Sequence, residues 1–274
     1  MKTLGKVYTG LIFVLLYLPI LVMVFFSFNA TKSTAILSFD YSAARPFGYW
    51  YSEFFKSDAA MSALKNSLVL AVLSALISTV IGTLAAIGIY RLRNHYVKNA
   101  ISGVTNIPMM NPDIVTGISL MLLFVGTFGI LKIGKMGFAT ILIAHITFNL
   151  PYVILSIMPK LTQMDKHLPE AAMDLGCTPV QSFFKVELPF LFPSILSGVL
   201  MAFTLSLDDY VISLFTGGSY QTLPIYIFSQ ARKSVSPSIY ALSTFFLVCV
   251  LVLLIAMNVL QSRMDHADQR KSRH

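Results

Sequence analysis

The sequence predicts an all-α integral membrane protein with six transmembrane helices, and three observations carry that prediction. Apolar residues make up 56% of the 274-residue chain, and mean hydropathy is +0.74. Charged residues make up 12%, against about 25% in soluble globular domains. The apolar residues fall in long uncharged runs, whereas a membrane β-barrel alternates over segments of about ten residues. A water-soluble fold could not cover its surface with so few charges, and a disordered chain would be far less apolar. The two cysteines, Cys177 and Cys249, lie in a polar loop and an apolar run. They make no disulfide scaffold, and no bridge between them is expected.

A bilayer core of about 30 Å takes about 20 apolar residues per helix. Six runs qualify: residues 7–28, 66–90, 100–128, 136–159, 190–216 and 236–261, within a single membrane domain covering 1–274. The first follows Lys2 and Lys6, as a signal peptide would. It is too long for the apolar core of one, contains Pro19 and lacks a small-x-small cleavage pattern, so it reads as a retained anchor. The third run carries Asp113 behind Asn111-Pro112, where the helix is expected to break. The fifth carries Asp208 and Asp209, and the remaining runs are uncharged.

Alternate compartments hold 12 and 8 of the Lys and Arg residues, with Arg91, Arg93 and Lys98 crowding one short turn. The positive-inside rule then places both termini in the cytoplasm. The net charge of +8 is spread over these clusters; no basic face for nucleic acid is formed, and no nucleic-acid partner is expected. The outer loop, 29–65, carries Tyr49-Trp50-Tyr51. This reads as an interfacial aromatic cluster, with contact to a partner protein as the second reading.

The densest punctuation lies in the cytoplasmic loop 160–189. Pro169 suits the first turn of a helix, where its missing N–H is not needed. Glu170 then meets the positive end of the helix dipole, and Gly176 suits a left-handed helix stop. Thr178 and Gln181 have the spacing of a capping box, with Pro179 beginning a second short helix that Pro189 is expected to end. Glu170 and Asp174 share a face, and Ala171 and Ala172 allow another surface to come close.

Glu170-Ala171-Ala172, then Gly176, then Val186-Glu187-Leu188-Pro189 resembles the EAA loop of ABC-importer permeases, with valine at Val186 where that motif usually has isoleucine. The resemblance extends to the permeases of spermidine/putrescine importers. It is carried there by Met110–Val115, Ala144–Pro151, Phe203–Ile212 and Val235–Leu242, in the same order. It implies the type I importer permease fold and a bacterial cytoplasmic-membrane location. It also implies that the loop docks a separate ATP-binding subunit, present in two copies, through Glu170, Ala171, Ala172, Asp174, Gly176, Leu188 and Pro189. A second, non-identical permease and an extracellular or periplasmic polyamine-binding protein complete the implied assembly. ATP and magnesium would belong to the ATPase, and this chain would hold no cofactor, no metal and no catalytic residue.

Ionisable groups inside spans are costly and tend to line transport paths. Three remain at membrane depth, Asp113, Asp208 and Asp209, and all are acidic. A polyamine carries several ammonium groups, which carboxylates can neutralise and aromatic faces can attract. The expected substrate path is therefore Asp208 first, with Asp209, Tyr210, Asp113 and Phe203. Asp208 and Asp209 are consecutive, so one faces the path while the other caps or meets a neighbouring helix; Asp113 is read equally as a helix cap. His145 and Asn149, four apart on one face, read as interhelical glue ahead of ligand contacts.

Gly129–Met136 nearly spells a phosphate-binding loop, but methionine stands where Ser or Thr would hold magnesium. Neither acid at Asp113 or Asp208 has the Gly-x-Gly-Asp context of an intramembrane aspartyl protease. The closer alternative is an ion-coupled secondary transporter of small cations, which would leave the loop motif without a role.

Overall fold

The computed structural model describes residues 2–31, 36–42, 46–92, 94–131, 134–165, 167–233 and 237–271. Arg93, Lys132, Ile133, Val235 and Ser236, which enter the sequence arguments above, lie outside them. Every regular element among the described residues is helical. In chain order these are α1 (Lys2–Ser27), α2 (Tyr49–Lys56), α3 (Asp58–Arg91), α4 (His95–Met110), α5 (Asp113–Leu131) and α6 (Phe138–Gln163). Then follow α7 (Leu168–Asp174), α8 (Pro179–Ser182), a π-helical turn (Phe183–Glu187), α9 (Leu188–Asp208), α10 (Val211–Thr216), α11 (Leu223–Lys233) and α12 (Pro237–Lys271). Five helices are long and apolar enough to cross a membrane, or six if α4 and α5 are taken together as one broken span.

The break expected at Asn111-Pro112 is present, two further features differ from the sequence expectation, and each of the three has a local cause. The run 100–128 is not one helix: α4 and α5 meet at 105°. Pro112 disfavours a helical conformation at the residue before it, and Asn111 is extended, with ψ 138°. The run 190–216 stops at Asp208, because Asp209 is extended and its carboxylate takes the free N–H groups of α10. Conversely, Pro189 does not end the loop's second helix. The π-helical turn precedes it, with the Leu188 N–H donating to the Phe183 carbonyl five residues back. That wider turn absorbs the missing N–H and the ring of Pro189, so the helix runs on into α9.

The chain divides into two compact units. One comprises Met1–Leu64 with Leu223–Ile255. Its core is Phe54, Ala60, Ala63, Leu223 and Leu242, with Phe245 against Phe54 and Phe55 at ring separations of 5.7 and 5.3 Å. Trp50 is buried, and its indole N–H donates to the Asn29 carbonyl at 2.6 Å. Trp50 of this aromatic cluster thus packs inside the unit, while Tyr49 and Tyr51 are half-buried. Asn29 is itself buried, its side-chain amide donating to Ile36 O and accepting from Ser38 N. The helix α1 buries none of its apolar window, which leaves that surface for lipid or another chain.

The second unit, Lys65–Thr222 with Ala256–His274, is organised around α6. Between apolar helices in lipid there is little hydrophobic driving force, and close approach at small residues replaces it. Gly82 on α3 and Gly198 on α9 both face Val153 of α6: a Cβ at Gly82 would come within 2.7 Å of Val153 Cγ1, and one at Gly198 within 3.4 Å of it. Around this contact Ala75, Ile87, Ile89, Ile154, Ile157, Leu161, Leu191 and Ala202 form the core. Polar groups tie the same helices. Ser74 Oγ and Asn149 Nδ2 both donate to Ser206 Oγ at 2.8 Å, and His145 Nε2 lies 3.0 Å from Ser213 Oγ.

Candidate functional site

Two regions of the second unit hold the coupling and substrate-path residues expected from the sequence. The first is the capped loop. Pro169 stands in the first turn of α7, and Glu170 is exposed beside it, 3.1 Å from His167 Nδ1. Ala172 is buried, whereas Ala171 and Asp174 are exposed. Gly176 has φ +92°, its N–H donates to Met173 O, and Cys177 N–H donates to Ala172 O. This left-handed stop turns the chain at once into α8. There Thr178 Oγ1 accepts from Gln181 N at 3.3 Å, while Gln181 Oε1 accepts from Thr178 N at 3.0 Å. Ser182 Oγ reaches back to Pro169 O at 3.3 Å, so α7 and α8 fold as one body. Leu188, half-buried, and Pro189, exposed, begin α9.

Several large apolar side chains are exposed on this segment beside the charged ones. Leu168, Met173, Leu175, Val180 and Phe184 are exposed, Leu175 at 87%. Five large apolar side chains exposed on so short a segment are more than the scattered single residues normal on a surface. The sequence reading missed them because a loop without sustained periodicity does not reveal which side is outward. It also read Arg91 only as an orientation signal. Arg91 Nη2 is bonded to Glu187 Oε1 at 2.6 Å, and the Glu187 side chain is only 3% exposed.

The second region is acidic. Asp113 opens α5, and Asp208 closes α9; both are exposed, and neither forms an ion pair with a described residue. Asp113 lies within electrostatic reach of Asp208 and of the Tyr152 hydroxyl on α6. Asp209 is differently employed. Its Oδ1 accepts from Ile212 N at 3.2 Å and its Oδ2 from Ser213 N at 2.7 Å, with His145 Nε2 at 3.4 Å. It caps α10, and its side chain is 8% exposed. Phe203 is half-buried against the core around α6, and Tyr210 is half-buried at the start of α10. Tyr152 was not singled out from sequence, since an aromatic residue in an apolar run carries no signal of what it faces.

The fold matches a chain of a bacterial transporter that imports the acidic polysaccharide alginate, with TM-score 0.71 at 15% identity over 96% of this chain and 95% of that one. A chain of the MetNI methionine transporter in an inward-facing conformation matches with TM-score 0.59 at 18% identity, covering 77% of this chain and 98% of that one. Residues 78–266 match the family described as binding-protein-dependent transport system inner membrane component, and the chain belongs to that family. The putrescine transport system permease protein PotI of Escherichia coli is 40% identical over 240 residues, covering 87% of this chain and 83% of that protein. The spermidine/putrescine transport system permease protein PotC of Haemophilus influenzae is 37% identical over 257 residues, covering 93% and 95%.

Proposed function

We propose that this chain forms half of the translocation path of an ATP-driven polyamine importer, with Asp208 and Asp113 as the groups that receive the cationic substrate. The observation that supports this reading is that two exposed carboxylates from separate helices, neither ion-paired with a described residue, lie within electrostatic reach of one another. Spermidine and putrescine carry ammonium groups several bonds apart, and two acids on different helices suit such a cargo better than one. Asp209 supports the arrangement by holding the break that leaves Asp208 exposed. Tyr210 and Phe203 stand on the same segment, where Phe203 packs and Tyr210 flanks the acids.

The capped body α7–α8 docks the ATP-binding subunit, with Glu170, Ala171, Ala172, Asp174 and Gly176 shaping it and Leu188 and Pro189 leading into α9. ATP and magnesium are held by that partner, present in two copies, and this chain performs no catalysis. A second, non-identical permease and a polyamine-binding protein outside the membrane complete the assembly. The chain crosses the bacterial cytoplasmic membrane six times, counting α4 and α5 as one broken span, and both termini face the cytoplasm.

The test is reconstitution in proteoliposomes of the complex purified through a tag on this chain. The ATPase and second permease should co-purify, and spermidine or putrescine uptake should require ATP. Asp208→Asn should lower uptake by about tenfold or more, the scale of losing one contact that dominates binding, while the same subunits still co-purify. Uptake at the wild-type rate would reject Asp208 as a substrate group. Transport by the lone chain on an ion gradient, without ATPase, would favour a secondary transporter instead.

A further inference from the structure

The docking body is tied to the membrane helices in two ways by the chain itself: it follows α6, and it leads through the π-helical turn into α9. Its inner side faces the end of α3 across a gap. A groove of about 570 Å³ lies there, walled by Tyr90, Arg91 and Lys98 on one side and by Pro169, Met173 and Glu187 on the other. Across this space runs the 2.6 Å contact of Arg91 with Glu187, 96 residues apart in sequence. Glu187 is held inward on the last residue of the π-helical turn, where a carboxylate demands a charged partner. Arg91 is the last residue of α3, where a cation also meets the negative end of that helix. Its side chain is 58% exposed, so it remains largely hydrated while making the contact.

We propose that the Arg91–Glu187 ion pair is a strut that passes displacement of the docking body to α3 as well as to α9, which makes both residues positioning residues for coupling. The groove gives the reason. Packed apolar side chains would transmit motion over a broad front, but here open space separates the two elements, and the ion pair spans it. A guanidinium–carboxylate contact is short and directional, and it resists both compression and separation. Movement of the body would then pull two spans at once, one through the backbone and one through the strut. This inference rests on the proposed docking role of α7 and α8.

The experiment uses the full complex in proteoliposomes and reads substrate moved per ATP hydrolysed. Arg91→Gln and Glu187→Gln should each lower that ratio by about fivefold, the lower range of measured coupling between sites, with the ATPase still bound. Arg91→Lys, which keeps the cation, should stay near the wild-type ratio. A purely structural role would reduce assembled complex, lowering transport and hydrolysis together and leaving the ratio unchanged. A wild-type ratio in both Gln variants, or a loss in Arg91→Lys equal to that in Arg91→Gln, overturns the strut. Glu170→Arg separates the two levels of the argument. If it leaves docking and the ratio intact, the coupling role of the body fails and the strut with it; if it uncouples while Arg91→Gln does not, only the strut fails.

Discussion

At the scale of single residues, two adjacent aspartates of identical chemistry are given different work by the helix break between them. Asp209 accepts two backbone N–H bonds at the start of α10, while Asp208 ends α9 exposed. Asp209→Ala should therefore cost about 1 kcal/mol, the usual worth of a lost cap, read as a lower thermal midpoint of the purified complex. Asp209→Asn can still accept one of these bonds and should retain most of that stability. If Asp209→Ala melted with the wild type, the cap would be energetically idle. The sequence shows that two acids stand here and that consecutive helical positions diverge. It does not show where the helix stops, because the stop is made by the carboxylate's own capture of N–H groups that a continuous helix would have used internally.

At the scale of elements, α6 is the helix around which the second unit closes, and its contacts are set by what its neighbours lack. A Cβ at Gly198 would lie 2.7 Å from Ser156 Oγ and 3.4 Å from Val153 Cγ1. Gly198→Leu should force α9 away from α6 and cost about 1–3 kcal/mol, the range of overpacked cores, with a lower yield of folded complex by size-exclusion chromatography. An unchanged elution profile and melting midpoint would show that the contact yields freely. The capped loop was legible because proline, glycine and Thr-x-x-Gln each act on the backbone within a turn. The passage from α8 into α9 was not, since Pro189 ordinarily ends helices and the π-helical turn that carries the chain past it has no side-chain signature. His145 and Asn149 were legible as a pair on one face, but their partners Ser213 and Ser206 follow only from how α6 meets α9 and α10.

At the scale of the whole molecule, the apolar runs forecast the long helices, and their counts agree once the bent pair α4–α5 is treated as one crossing. The outer loop was the least legible part. Trp50 and Tyr51 look like residues destined for a membrane surface, yet Trp50 closes on the Asn29 carbonyl, and Tyr51 OH lies 2.8 Å from Ser27 Oγ. The pattern of exposure has a further consequence in the life of the chain. In the proposed orientation, a copy inserted before its partners arrive carries Asp113 and Asp208 without a described counter-ion and the apolar side chains of α7–α8 bare to the cytosol. Such a copy is an orphan, chemically recognisable to membrane proteases, and its turnover should depend on the supply of the other subunits. Pulse-chase labelling should give a shorter half-life when this chain is expressed alone than with the ATPase and second permease. Equal half-lives would mean that the orphan hides these groups by itself. The features that let the finished importer work would thus also mark unfinished ones for removal, and they would keep subunit numbers in step without a separate sensor.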